Sequence, residues 1–304
     1  MTFWLEHPSY KVVRDDLIKY LQSDKRRFRR LAPVVFLCGG FNSPAREVLR
    51  KYLAKHDRDL AVFYAEDVWR QIAAMSGAQN ALQMEEYLAS LADLLIILVE
   101  SPGTFAELGA FSLSDGLRRK LLPILDSRYK NDQSFIETGP VRWISQDSEF
   151  NPPIYVDLRQ ILTVVDEIEE RIERIPKQKP TRVTDLAASP KQLLFFVCDL
   201  IAVIEPATRE IIQSYVQTIV PSVTETQVSA LVGLGSAMEL LRPIPLTING
   251  VTATFYYRTS DDALTRPFHH KKWLDLPSQR AAHASVLLAI EQSREALSAL
   301  GKLL

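Results

Sequence analysis

The chain is short of several things, and each shortage excludes a class of protein. Only two of its 304 residues are cysteines, Cys38 and Cys198. Two cysteines cannot build a disulfide framework, and no Cys/His set has zinc-finger spacing, so no metal site is expected. There is no excess of charge: 36 basic and 37 acidic residues leave a net −1. A basic tail or a strongly cationic nucleic-acid binder is excluded, and a local basic patch is not. No apolar run approaches ~18 residues, so no membrane span and no membrane partner are expected. Charges recur from Glu6 onward, which does not fit the apolar stretch of a signal peptide. A cytoplasmic protein is the expectation. Glycine is also scarce, with 11 in all. Four of them sit in two short segments, Gly39-Gly40 and Gly103 to Gly109. Scarce glycines placed in pairs mark backbone that must approach something closely.

What remains is an ordinary globular balance, 47% hydrophobic and 24% charged. The length suits roughly two domains at ~150 residues each. Residues 9–31 read as a helical lead-in ending in the cationic run Lys25, Arg26, Arg27, Phe28, Arg29, Arg30. That run is either a solvated helix end or a phosphate-contacting patch. From residue 33, short apolar runs alternate with helical stretches. Strands are expected at 34–37, 60–64, 94–99, 121–125 and 154–156. Helices are expected at 44–55, 66–75, 80–91, 105–113 and 157–174. This alternation implies an α/β domain over 33–174, a parallel sheet of the Rossmann or flavodoxin type with both faces covered. Residues 1–32 read as a separate helical segment and 175–190 as a proline-rich linker or exposed connection. Beyond it, helices are expected at 191–204, 206–219 and 224–240. Alternation over 244–258 around Asn249-Gly250 reads as a β-hairpin, and a helix over 278–300 closes the chain. Three helices followed by a hairpin is the order of a winged helix-turn-helix, here 191–304.

The densest constellation runs from Glu100 to Phe111: Glu-Ser-Pro-Gly-Thr-Phe-Ala-Glu-Leu-Gly-Ala-Phe. A buried strand feeds a tight turn, and a helix begins with Glu107 in its first turn or so. Ligands of open parallel sheets bind beyond the carboxyl ends of the strands. A helix N-terminus favours an ionised carboxylate, which suits a nucleophile. The same carboxylate also reads as plain compensation of the helix dipole. Gly103 removes a side chain where a ligand approaches, and Gly109 is expected to admit close helix packing. The first strand ends in Cys38-Gly39-Gly40, whose amides can hold a hydroxyl or phosphate. Cys38 has no nearby histidine to activate it and reads best as a small buried residue. The second strand ends in Tyr64, Glu66 and Asp67. Three successive strand ends carrying glycine or carboxylates say more than any one of them.

These residues resemble a known family. Phe36-Leu37-Cys38-Gly39-Gly40 is similar to the opening of nucleoside 2-deoxyribosyltransferase-like proteins, and the Glu107 segment to their nucleophile motif. Phe63 to Asp67, the Glu-Ser-Pro-Gly turn, Leu117 to Leu121 and Ser134 to Arg142 resemble retron-associated effectors more narrowly. Those effectors join such a domain to a C-terminal winged helix. The resemblance is close over about 33–145 and architectural after 190.

The resemblance implies N-glycosidic chemistry with Glu107 attacking C1′ of a ribosyl or deoxyribosyl group. It implies NAD or a related nucleotide as substrate, with no separate cofactor, and a role as an antiphage toxin. It implies a reverse transcriptase and its RNA–DNA product, msDNA, as partners, and a homo-oligomer or higher assembly. Cys38, Gly39, Gly40, Tyr64, Glu66, Asp67, Glu100, Ser101 and Gly103 become candidate substrate contacts. Asp93 joins them, because the family often has an aspartate there facing the base. It reads equally as a polar strand boundary. Many transferases carry an Asp six residues before the nucleophile. Here that place is Ser101, with Glu100 one step earlier, which favours hydrolysis over base exchange.

The third helix of the second half, Thr224 to Leu240, contains no Lys or Arg. Major-groove reading by that helix is therefore not expected. Cations cluster instead at Lys25 to Arg30 and at His269-His270-Lys271-Lys272-Trp273. The second cluster adds an aromatic suited to base stacking, and it also reads as a solvated loop. A second functional class stays open: a non-catalytic nucleotide sensor that controls DNA binding by the winged helix.

Overall fold

A computed structural model describes residues 3–29, 33–55, 60–64, 91–130, 132–259 and 274–301. The chain forms two compact units: residues 32–177, and residues 1–31 together with 178–304. In chain order the second of these contributes first, with helix α1 (Pro8–Gln22) and the two-residue strand β1 (Arg27–Phe28).

The unit over 32–177 is built on β2 (Val34–Cys38), β3 (Ala61–Tyr64), β4 (Leu94–Val99), β5 (Leu121–Asp126) and β6 (Ile154–Val156). All pairings are parallel, in the order β3-β2-β4-β5-β6. Every residue of β2 and of β4 is buried. Such unbroken apolar strands fit a sheet covered on both faces rather than one half in water. Helix α2 (Pro44–Lys55) follows β2, α3 (Pro102–Leu113) follows β4, and α4 (Val165–Glu173) comes last. One core gathers Val35 and Leu37 of β2, Leu94, Ile96 and Leu98 of β4, and Leu122 and Ile124 of β5. These positions are two apart and so share one sheet face. Leu49 and Leu53 of α2 and Ile168 and Ile172 of α4 complete it, each pair one helical turn apart. Consecutive strands leave in opposite directions on either side of the β2–β4 pair. That pair marks the topological switch point of the sheet.

The other unit continues with β7 (Thr181–Arg182), α5 (Pro190–Ile204), β8 (Ala207–Thr208), α6 (Arg209–Ile219) and α7 (Glu225–Ala237). Then come β9 (Leu241–Ile248), β10 (Val251–Arg258), α8 (Leu276–Ala289) and α9 (Arg294–Gly301). β9 and β10 form the expected hairpin, with β8 on its far side, in the antiparallel order β8-β10-β9. Asn249 and Gly250 have φ of 51° and 78°. Two positive φ values make the mirror-image turn whose twist matches the strands it joins. Pro243 and Pro245 lie on the edge strand β9, where a missing donor blunts further strand pairing. Helix α5 is buried from Lys191 to Ile204 and is the centre of this unit.

Several expectations change. The lead-in helix stops at Gln22 instead of running to residue 31. Phe28 is fully buried, with its ring edge-on to Phe196 of α5 at 5.6 Å. Seating that ring straightens the cationic run into β1, which pairs with β7. The stretch 175–190 is not a bare connection. It contains β7 and a 3₁₀ helix, Val183–Ala188, whose Val183 and Leu186 are buried. The helix expected over 157–174 is α-helical only in α4, because Leu158–Val164 forms 3₁₀ turns with non-helical backbone at Gln160. The closing helix is interrupted between α8 and α9 by Glu291–Ser293. The helices expected at 66–75 and 80–91 lie outside the described residues, except for the helical Leu91 at the end of the second. Among the described residues no helix is long and apolar enough to cross a membrane.

Candidate active site

The switch point carries a cleft of about 620 Å³. One wall is the turn after β2, from Gly39 through Phe41 and Asn42 to Pro44. The other comprises Glu100, Ser101, Gly103, Thr104 and Glu107, from the end of β4 into α3. Two parallel strands that diverge in their onward connections leave such a space between their carboxyl ends.

Each wall has a local cause. Helix α3 begins at Pro102, three residues earlier than expected, with Ser101 as N-cap. Thr104 Oγ1 accepts from the amides of Glu100 and Ser101 at 3.0 and 2.9 Å. Ser101 Oγ accepts in return from Thr104 N at 3.4 Å. Such reciprocal capping contributes about 1 kcal/mol and sets where the helix starts. Glu107 therefore stands in the second turn, and the first turn holds no acid. The helix-dipole argument for its ionisation weakens accordingly, because that field fades beyond the first turn. Glu107 is half-buried, and its Oε2 is shielded from solvent.

On the other wall, Ser43 Oγ accepts from Arg46 N at 3.1 Å and starts α2. Asn42 takes a φ of 57°, a conformation that asparagine tolerates better than most residues. Glu100 reaches across the gap, its Oε1 accepting from Gly40 N at 2.9 Å. A Cβ on Gly39 would lie 2.8 Å from Arg46 Cδ and 3.3 Å from Glu100 Oε1. Glycine is needed there for close approach. Among the described residues no atom lies within 4 Å of the place a Cβ on Gly109 would take, so the close helix packing expected at that residue is not found among them.

The structure thus brings Gly39, Gly40, Glu100, Ser101, Gly103 and Glu107 to one cleft. Cys38, Tyr64 and Asp93 are not in its lining. Cys38 is buried in β2. Asp93 precedes β4 at the opposite, amino edge of the sheet, where its Oδ2 accepts from Val34 N at 2.8 Å. It locks the start of two strands, the polar-boundary reading. Tyr64 turns its hydroxyl to Glu47, to which it donates a hydrogen bond. Arg46 and Arg50 lie over its ring at 4.4 and 4.8 Å. Burial, then the hydrogen bond to Glu47, raises the Tyr64 pKa. The Tyr64 hydroxyl holds the Glu47 carboxyl below its usual range. Glu66 and Asp67 lie outside the described residues. The sequence reading missed Phe41, Asn42, Ser43, Pro44 and Thr104. Their signal was a short turn between two glycines and a proline-started helix, and a Ser-x-x-Thr capping pattern.

Among the cationic candidates, Lys25 is exposed, and Arg26, Arg27 and Arg29 are half-buried. The Arg26 guanidinium lies 3.9 Å over the Tyr20 ring. Arg27 donates to the carbonyls of Asp24 and Arg26 and faces Arg182 across the β1–β7 pair. Part of this run therefore builds local structure. Arg30, His269, His270, Lys271, Lys272 and Trp273 lie outside the described residues.

A family model described as STM3845 retron effector protein matches residues 42–243. Two relatives from Escherichia coli share the name "putative ribosyltransferase/DNA-binding protein". That of retron Ec86 is 43% identical over 124 residues, covering 39% of this chain and 40% of the relative. That of retron Ec73 is 37% identical over 122 residues, covering 38% of this chain and 39% of the relative. The similar stretch spans about two fifths of each relative's length.

Proposed function

This chain belongs to the STM3845 retron effector family, and on that premise we propose that it is an antiphage toxin with N-glycosidase activity on NAD or a related nucleotide. The observation that carries the reading is the meeting of Glu107, the Gly39-Gly40 turn and the Glu100–Thr104 turn in one cleft. The relatives' ribosyltransferase name supports the same chemistry, and so does a parallel sheet of the kind expected for a nucleoside 2-deoxyribosyltransferase-like domain.

In this reading a Glu107 carboxylate oxygen attacks C1′ through an oxocarbenium-like transition state. The C1′–N bond breaks, and its electron pair leaves with the base. Nicotinamide leaves NAD neutral, because its ring nitrogen starts out cationic, so a strong general acid is dispensable. Water then attacks C1′ of the glycosyl ester, the Glu107 carboxylate departs, and a proton is released. The glycine turn lets a sugar hydroxyl or phosphate of the substrate come close to main-chain amides. Wild type and Glu107→Gln are to be compared by metabolite profiling with NAD and nucleosides quantified. Loss of NAD or nucleoside in wild type alone supports the reading. Equal toxicity of the two proteins sinks it.

The α5-β8-α6-α7-β9-β10 order supports a winged-helix reading of the other unit. Its proposed partners are a reverse transcriptase and its msDNA product, contacted through Lys25 to Arg30 and Lys271 to Trp273. A mobility shift with the branched RNA–DNA tests this. The relatives' DNA-binding name keeps a second reading in view, a non-catalytic nucleotide sensor that regulates DNA binding. Intact phage defence in Glu107→Gln would favour it.

Self-association is proposed as well. Phe105, Ala106, Ala110 and Leu113 are exposed on α3, a helix that carries no Lys, Arg or Asp. An apolar exposed face of this kind is a common subunit contact. Ala110→Arg should lower the mass found by sedimentation, and an unchanged mass counts against this face.

A further inference from the structure

We infer that Glu100 is a positioning residue: its carboxylate holds the Gly39–Asn42 turn in shape from across the cleft and carries no proton for the reaction. The inference concerns the site proposed above, and only its kinetic arm depends on that reading.

Glu100 Oε1 accepts from Gly40 N at 2.9 Å, joining the end of β4 to the turn after β2. The two bonded groups are 60 positions apart in the chain, so their meeting is a tertiary contact. The turn itself is tight, with Ser43 N donating to the Gly40 carbonyl at 3.1 Å and Asn42 at a positive φ of 57°. Gly40 is therefore held on both sides, its amide by Glu100 and its carbonyl by Ser43. A Cβ on Gly39 would crowd the carboxylate, with Oε1 at 3.3 Å, whereas one on Gly40 would only touch it, at 3.4 Å. Gly39 and the acid just past the end of β4 are thus fitted to each other. Glu100 is itself held, because its amide donates to Thr104 Oγ1 at 3.0 Å. The turn presents Phe41, 94% exposed, at the cleft wall. An oxygen already spent on a main-chain amide is placed to shape a binding site. Charge-assisted bonds of this type are strong enough to fix a loop.

The test separates the acceptor from the acid. Glu100→Gln keeps a carbonyl oxygen for Gly40 N and removes the titratable group. Glu100→Ala removes both. Hydrogen exchange resolved at the Gly40 amide reads the contact without reference to activity. Exchange should speed up about tenfold or more in Glu100→Ala and about fivefold or less in Glu100→Gln. With NAD as the probe substrate, Glu100→Ala should raise KM about tenfold with kcat nearly unchanged. Glu100→Gln should keep the wild-type pH profile. Unchanged Gly40 exchange in Glu100→Ala overturns the inference. So does a Glu100→Gln protein as inactive as Glu107→Gln with its Gly40 contact intact. If wild type does not cleave NAD, the proposed substrate fails, and the exchange experiment still decides whether Glu100 holds the turn.

Discussion

In the unit over 32–177 the central strands are apolar along their whole length, and the polar groups of the cleft lie past their carboxyl ends. In the other unit charged and titratable side chains lie deep inside. Asp199 and Arg258, 1% and 6% exposed, meet at 2.6 Å. Glu205 accepts from Arg258 N at 2.7 Å and pairs with Arg280 at 2.7 Å. Tyr215 and His283 meet at 2.9 Å between α6 and α8. The difference teaches where to look for chemistry. Polar groups at an open sheet edge are placed to meet a ligand. Polar groups buried between α5, β10 and α8 are committed to each other and fix how those elements pack. Four measurements can break or sharpen the contrast.

The largest effect belongs to the open edge. Glu107→Gln should lower glycosidic cleavage by about 10³-fold or more, the usual consequence of losing a nucleophile. Its melting temperature should stay near wild type, because the side chain lies outside the core. A large drop in stability would move Glu107 to the structural side of the comparison.

Asp199→Ala comes next and should do the reverse. Removing one partner of a buried ion pair leaves the other uncompensated and costs about 3–5 kcal/mol. Urea unfolding should show that loss. A change under about 1 kcal/mol would mean the pair is no more than a surface bridge.

Two glycines of the first unit give smaller effects of opposite sign. Gly39→Ala puts a methyl against the buried Arg46 side chain and should cost about 1–3 kcal/mol. Gly109→Ala meets open space within a helix and should stabilise by about 0.5–1 kcal/mol. Paired thermal melts check both signs.

The smallest effect is a pH dependence. Burial lowers the pKa of His283 from the usual 6.5, so the fold prefers the neutral ring. As pH falls, the unfolded chain takes up its proton first. The stabilisation is therefore complete above pH 6.5 and is lost as pH drops through the lowered folded value. The groups facing the ring are Tyr10 and Tyr215, neutral throughout that window. Melts at about pH 7.5 and about pH 5.5 should differ more for wild type than for His283→Gln. Equal differences would remove His283 as the cause.

Much of the sheet was legible because buried strands are short apolar runs between polar boundaries. Strands 94–99 and 154–156 and helix 44–55 match their expected bounds. The hairpin was legible from Asn249-Gly250, a pair with few alternatives to a tight turn. Boundaries set by tertiary contacts were not. Phe28 looked like one apolar residue inside a cationic helix end, and a partner ring on α5 made it a strand. Pro102 was the local mark for the start of α3, and the Ser101–Thr104 cap that confirms it needs the folded geometry. Asp93 shows the limit for sites. Sequence places a carboxylate next to a strand, and only the strand's direction says which edge of the sheet it serves.

By itself, then, the sequence determined the kinds of elements, because hydrophobic period and turn chemistry act over a few residues. It also determined that Gly39-Gly40 and the Glu100–Glu107 segment are the unusual stretches of the first half. Only the tertiary structure decided that these two segments face each other, because their meeting depends on strand order. Placing β2 beside β4 leaves the cleft beyond their carboxyl ends and brings Gly40 within hydrogen-bond reach of Glu100. Strand order is set by the packing of the whole core, to which no short stretch of sequence has access.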